Sequence, residues 1–226
     1  MIKLGDTVLP GDIIKDLKPH HGEIKLGPGL RRDTDQEQII VTKSGELCHK
    51  SPNVYWIEGQ QKRYVPKRGE LVLGVVAIKR GDLFKVDIGS SELASLSVFS
   101  FEGATKKQKP DIQIGDVIYG RLLSAHREME PELVCIDSYG KAKKLGILSN
   151  EGFLFNISQE FVHRLLNFEY PLLRTLGKKT TFEIVIGMNG KIWINARSAN
   201  DIATVYVALL AAEKQCENDI LKVCRK

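Results

Sequence analysis

The chain has 226 residues, of which 42% are hydrophobic and 27% charged, an ordinary globular composition with enough apolar material for roughly one large domain or a few small ones. Lys and Arg outnumber the acids 33 to 28, a mild excess that permits a polyanionic partner without demanding one. No apolar run approaches the roughly 20 residues of a transmembrane helix, and MIKLGDTVLPGD at the N-terminus has no apolar h-region, so neither a membrane nor a secretory signal is expected.

Cys48, Cys135, Cys216 and Cys224 show neither a C-x-x-C pair nor a disulfide-framework spacing, which fits a reducing compartment. His20-His21 with Cys48-His49 could be drawn as a zinc set. No close second cysteine accompanies either pair, so neither a metal nor a cofactor is expected.

Residues 1–65 are rich in turns, at Pro10-Gly11, Gly27-Pro28-Gly29 and Ser44-Gly45, with strand candidates at Ile39 to Thr42 and Val54 to Ile57. They predict a small N-terminal β domain. In "LPGDII", "KRGELVLGVVAIK" and "QIGDVIYGRLLSA" a Gly followed by an acid opens an apolar run, a turn feeding a strand. "DLFKVDIG" alternates, with Phe84, Val86 and Ile88 on one face and Lys85 and Asp87 on the other. With "ELVCID", residues 66–144 predict about five short strands, the pattern of a central OB-fold barrel.

The period then changes. Over residues 145–226, Ser158 is positioned to cap a helix that carries Phe161, Val162, Leu165 and Leu166 on one face. Pro171 and Gly177 are placed to start and stop a second helix. Two strands follow, then a helix capped by Ser198 or Asn200 that presents Ile202, Val205, Tyr206 and Leu209. With a strand at about 147–157 the order is β-α-α-β-β-α, a KH-like domain. The fold class is thus mainly β plus α/β.

Gly187-Met188-Asn189-Gly190 has the G-x-x-G shape with which KH modules clamp an RNA backbone. A clamp needs that motif between two helices, where a helix N-terminus offers free N–H groups to a phosphate. Here the helix-to-helix connection, "NFEYP", has no glycine, and Gly187 to Gly190 lies between two strands. The motif is therefore expected to be a structural hairpin, with Asn189-Gly190 as a two-residue turn at positive φ and Trp193 packed in a core or a domain interface. No H-E-x-x-H, P-loop, G-x-S-x-G or G-x-G-x-x-G string occurs, and Asp82, Asp87, Asp111 and Asp116 are scattered, so no catalytic residues are expected.

"QQKRYVPKRGELVLGVV", "FKVDIGSSELASLSVFSFEGATKK", "IGDVIYG", "MEPELVCID" and "EIVIGMNGKIWI" resemble the non-catalytic cap subunits of the eukaryotic RNA exosome, of the component-three type, which are homologous to the archaeal exosome RNA-binding cap proteins. The resemblance covers essentially the whole chain. It implies an N-terminal β domain, an S-one-type OB barrel and a KH-like domain. It also implies a place beside other cap subunits on a ring of RNase PH-like subunits, where the barrels surround the entrance to the RNA channel and a separate nuclease subunit degrades RNA from the three-prime end. Its members' residence in the nucleus, nucleolus and cytoplasm is the expected localisation. Human-type members carry a longer N-terminal extension.

OB barrels bind single strands by aromatic stacking along a basic groove. Where many S-one-type barrels place an aromatic, on the outer face of the second strand, this sequence has Lys85. The RNA-binding candidates are therefore cationic: Lys85, Lys106, Lys107, Lys109, Arg121, His126 and Arg127. Such a surface favours phosphate contact, which tolerates any sequence and weakens with salt. A free-standing single-strand RNA-binding protein of translation or ribosome maturation is the alternative, and it would need a working clamp or stacking face.

Overall fold

The computed structural model describes residues 4–14, 24–33, 38–59, 63–126, 128–167 and 170–214. Contacts divide the chain into two units, Met1–Gln61 and Lys62–Lys226. Of the imagined zinc set, His20 and His21 lie outside the described residues, as do Cys216 and Cys224.

Among the described residues the first unit holds seven short strands: β1 (Thr7–Val8), β2 (Ile13–Ile14), β3 (Lys25–Leu26), β4 (Leu30–Arg32), β5 (Ile39–Val41), β6 (Gly45–Lys50) and β7 (Val54–Glu58). They form two sheets, ordered β1-β6-β7-β3 and β2-β5-β4. Val8, Ile14, Ile39, Val41, Leu47 and Ile57 make a single small core. Cys48 and His49 are used within this sheet. The Cys48 thiol donates to Glu58 Oε2 (3.6 Å), and the His49 ring packs 4.5 Å from that of Tyr55.

The second unit opens with β8 (Leu71–Arg80), β9 (Leu83–Asp87), β10 (Ala94–Ser97), β11 (Val117–Ser124), β12 (Glu132–Val134) and β13 (Gly146–Ile147). The ring β8-β9-β10-β12-β11 returns to β8 and closes a five-stranded barrel. β13 pairs with β11 beyond the end of β12, so the barrel sheet reaches Ile147. The alternation of β9 sends Phe84, Val86 and Ile88 into a barrel core shared with Val72, Leu96 and Ile118. Each such fully buried side chain contributes about 1.5–3 kcal/mol relative to exposure.

The rest of the unit runs β14 (Phe153–Asn156), α1 (Gln159–Leu166), α2 (Leu172–Lys179), β15 (Phe182–Ile186), β16 (Lys191–Ala196) and α3 (Ala199–Lys214). Ser158 caps α1, its Oγ accepting from Phe161 N–H (3.4 Å), and Phe161, Val162 and Leu165 are buried. Leu166, the last residue of the helix, departs from the predicted face and is 49% exposed, while Leu165 beside it takes the core position. Gly177 does not stop α2 as predicted. Leu172 and Leu176 bury one helical face, and the helix runs through Gly177 to Lys179, with Thr180 N–H bonded to Leu176 O (3.0 Å). Ser198 rather than Asn200 caps α3, accepting from Asp201 N–H at 3.2 Å. The three-stranded sheet is ordered β14-β16-β15, and Ile192 and Ile194 of β16 face Val205 and Leu209 of α3 in one core. Trp193 points to the opposite face. It is 3% exposed and lies against Gly152, where a Cβ would come within 2.1 Å of the indole.

The β15–β16 hairpin is where this domain meets the barrel. Its loop differs from the two-residue turn predicted. Gly190 N–H bonds Gly187 O (3.1 Å), Gly187 N–H bonds Lys191 O (2.9 Å), and of these residues only Gly190 has a positive φ, at 82°. This is a three-residue loop: a β-turn followed by one left-handed residue.

The loop lies along β8 where β9 has left it. The β8–β9 ladder ends at Val75 and Asp87, which leaves the buried Leu73 peptide without a strand partner on that side. Asn189 supplies one. Leu73 N–H donates to its Oδ1 (3.2 Å), while its Nδ2 donates to Leu73 O and Ile88 O, both at 2.7 Å. Met188 N–H donates to Leu71 O (2.8 Å), and Lys191 Nζ donates to Asp87 O (2.9 Å). Gly187 gives the room: a Cβ there would sit 2.8 Å from Leu73 N.

Asn189→Ala strands the three buried groups and is expected to lower stability by about 1–3 kcal/mol or more in urea unfolding. Asn189→Asp should cost more near neutral pH, where a carboxylate oxygen would face two carbonyls, and the deficit should shrink as acid protonates it. Gly190→Val forces a β-branched residue to positive φ, with its Cβ 2.6 Å from Ile157 O, and should cost about 1–3 kcal/mol through strain. Met188→Asp should be milder, since the loop uses only that residue's N–H. An Asn189→Ala chain that unfolds like the parent would refute the proposed lock.

Candidate nucleic-acid interface

Strand direction decides which loops share an end of the barrel. β10 and β12 are parallel, so both deliver their C-terminal ends to one side. β9 and β11 run antiparallel to them and begin there. That end therefore carries the β8–β9 turn around Gly81-Asp82, the 101–116 connection and the 135–145 loop. The opposite end carries the 88–93 and 125–131 loops, together with the hairpin anchored on Leu71 and Leu73. The hairpin thus covers one end; the other, the open end, lies away from the hairpin and is lined by the barrel's own loops, with Ile112 buried in the barrel core.

The sequence candidates divide between these places. Lys106 and Lys107 are exposed on the open end with no ion pair among the described residues. Lys109 is on the same end but is ion-paired with Asp82 of the β8–β9 turn. Lys85 stands on the outer face of β9 as the alternation requires, yet its side chain is only 16% exposed and is paired with Glu130. Arg121 is half-buried on β11 and its guanidinium donates to Ile136 O (3.4 Å). His126 is exposed at the opposite end, and Arg127 lies outside the described residues. The structure therefore does not gather the six described candidates into one patch. Two are neutralised by carboxylates distant in sequence, one is tied to backbone, and one sits at the opposite end.

Basic residues absent from that set also belong to the open end, Lys79 and Arg80 on β8 among them. Lys79 reaches across to donate to Ile112 O (2.8 Å), and Arg80 is exposed at the tip of β8. The signal for them was available in "IKRGD", a Lys-Arg pair directly before a turn glycine. On the outer face of β9 and β10, Leu83 pairs with Ser97 and Lys85 with Ser95, which leaves no aromatic on that platform. Phe99, 44% exposed, follows β10 on the open end. Burial pushes the Cys135 thiol up to about 12, which keeps it protonated as a core side chain. Among the described residues no three His, Cys, Asp or Glu side chains converge as a metal site.

Comparison with known proteins agrees with this architecture. Residues 64–146 match the family described as exosome complex component RRP40, S1 domain; residues 152–200 match the KH domain family; residues 24–63 match the exosome complex exonuclease Rrp40 N-terminal domain. The chain is 47% identical to exosome complex component RRP40 of Homo sapiens over 84% of its own length and 70% of that protein. With the Drosophila melanogaster protein of the same name, identity is 42% over 96% of this chain and 93% of the other. With that of Saccharomyces cerevisiae it is 34% over 83% and 81%. A crystal structure assigned to the exosome complex RNA-binding proteins shares the fold at a TM-score of 0.60 and 24% identity, covering 73% of this chain and 96% of that one.

Proposed function

The chain belongs to the exosome complex component RRP40 family, and on that premise we propose that it is a non-catalytic RNA-binding cap subunit of the RNA exosome. In this role it stabilises a ring of RNase PH-like subunits beside the other cap subunits and guides RNA into the channel for three-prime to five-prime processing and degradation. It works in the nucleus, including the nucleolus, and in the cytoplasm.

The observation that carries this reading is the hairpin lock. The G-x-x-G segment holds the KH-like domain to the barrel: the N–H groups of Gly187, Met188 and Gly190 are bonded to Lys191 O, Leu71 O and Gly187 O, so they are not free to clamp phosphate. What remains for RNA is the open barrel end, where Lys106, Lys107 and Arg80 are exposed. Lysines bind phosphate through charge, which is sequence-tolerant. An entrance that must admit many RNAs suits that chemistry.

Co-purification from native extract at moderate salt should recover the chain in a stable multi-subunit nuclease. Recovery as a monomer on RNA would overturn the cap assignment. The purified chain should show no exonuclease activity with magnesium or with phosphate; cleavage that tracks the protein through successive columns would contradict its non-catalytic role. Lys106→Ala and Lys107→Ala should each lower the log-salt slope of RNA binding by about 0.7 without changing the melting temperature. Lys109→Ala should have a smaller effect, because Asp82 already neutralises that charge. An unchanged slope in the Lys106→Ala, Lys107→Ala double variant would mean that this loop is only solvated.

A further inference from the structure

A second loop on the open end has features that the lysines of residues 106–109 lack. After β12, Cys135 N–H bonds Ser100 O (2.9 Å), and the chain turns back on itself through Asp137-Ser138-Tyr139-Gly140-Lys141. Asp137 organises this turn. Its N–H donates to Lys141 O (2.8 Å), and its Oδ1 accepts from Tyr139 N–H (2.8 Å) and Lys141 N–H (3.0 Å). Its Oδ2 pairs with Lys143 Nζ at 2.8 Å. Ala142 N–H donates to Glu102 Oε2 (2.7 Å), which ties the turn to the neighbouring basic loop.

The display on this frame is unusual for a solvated loop. Tyr139 is 82% exposed, with its ring held out of every core. Lys143 Nζ stands 5.6 Å from the ring centroid, and the ring is otherwise open. Lys143 and Lys144 occupy the left-handed region in succession, at φ 42° and 72°, where side chains other than glycine are uncommon. Backbone held in this way concentrates at functional sites. Lys141 and Lys144 are exposed, and their ammonium groups have no partner among the described residues. An exposed aromatic ring on an ordered turn, flanked by free lysines, is the chemistry that holds single-stranded nucleic acid, by stacking a base and neutralising its phosphates.

We infer that the 137–145 loop is a single-strand RNA contact, with Tyr139 as the stacking platform for one base and Lys141 and Lys144 as phosphate contacts. This inference rests on the RNA-binding function proposed above and supplies the stacking surface that the outer face of β9 and β10 lacks. Asp137 is a positioning residue: hydrogen bonding from Lys143 first, then from the turn N–H groups, holds its carboxyl down at about 2. Because that value lies below the ordinary one, the ordering it provides is present at neutral pH and is lost as the pH falls toward 2.

The test is fluorescence anisotropy of the full chain with a labelled single-stranded oligouridylate. Tyr139→Ala should weaken binding about fivefold or more, whereas Tyr139→Phe keeps the ring and should bind like the parent. Lys144→Gly should lower the log-salt slope by about 0.7 at an unchanged melting temperature, since its backbone already lies where glycine is at ease. Tyr139→Ala at parental affinity overturns the stacking site, as does Tyr139→Phe binding no better than Tyr139→Ala. If Tyr139→Ala instead binds RNA normally but fails to enter the assembled complex, the ring is a protein contact. Failure of the parent chain to co-purify with other subunits would overturn the cap assignment alone, because the anisotropy series is measured without them.

Discussion

The bonding of the Asn189 amide is the constraint on which the rest of the second unit depends. A barrel strand of ten residues, β8, needs partners on both edges, and β9 covers only part of one. The Leu73 peptide is buried at the point where β9 departs, and a buried unpaired peptide is costly. One carboxamide answers both of its groups and takes Ile88 O as well. No other side chain has an acceptor and two donors in a flat group of that size except Gln, which is one methylene longer. The hairpin is thereby bonded to the edge of β8, and the KH-like domain comes with it.

Two consequences for function follow from that bond set. The glycines that give the segment its clamp-like shape serve packing, Gly187 by leaving space for Leu73 and Gly190 by adopting positive φ. A phosphate clamp needs the same N–H groups free, so one segment cannot do both. The docked hairpin also covers one end of the barrel and leaves the other open. The sign and freedom of the charges at that end then set the chemistry, and local ion pairs edit them: Lys109 is muted by Asp82, while Lys106 and Lys107 are not.

A surface of this kind works by numbers of phosphates rather than by recognition of bases. Such binding tolerates any sequence and weakens as salt rises.

Much of this architecture was legible in the sequence because its causes are local. The alternation of Phe84, Val86 and Ile88, the Gly-acid turns before β2, β8 and β11, and the Ser158 cap each act over a few residues, within reach of periodicity and turn chemistry. The strand flanks of Gly187 to Gly190 were enough to deny it a helix N-terminus. Failures arose where a local signal met a stronger tertiary one: Gly177 stays helical because Leu172 and Leu176 hold the turn in the core. Beyond that, the sequence could not say that Asn189 reaches Leu73, 116 residues away, or that Lys85 meets Glu130 across 45 residues. Nor could it place Lys106 and His126 at opposite ends of one barrel. Hydrophobic pattern determines which face of an element is buried, and the sequence carries that pattern directly. Which charges remain free, and which polar side chain completes a distant backbone, depend on how closed sheets bring strands together, and only the tertiary structure decided that.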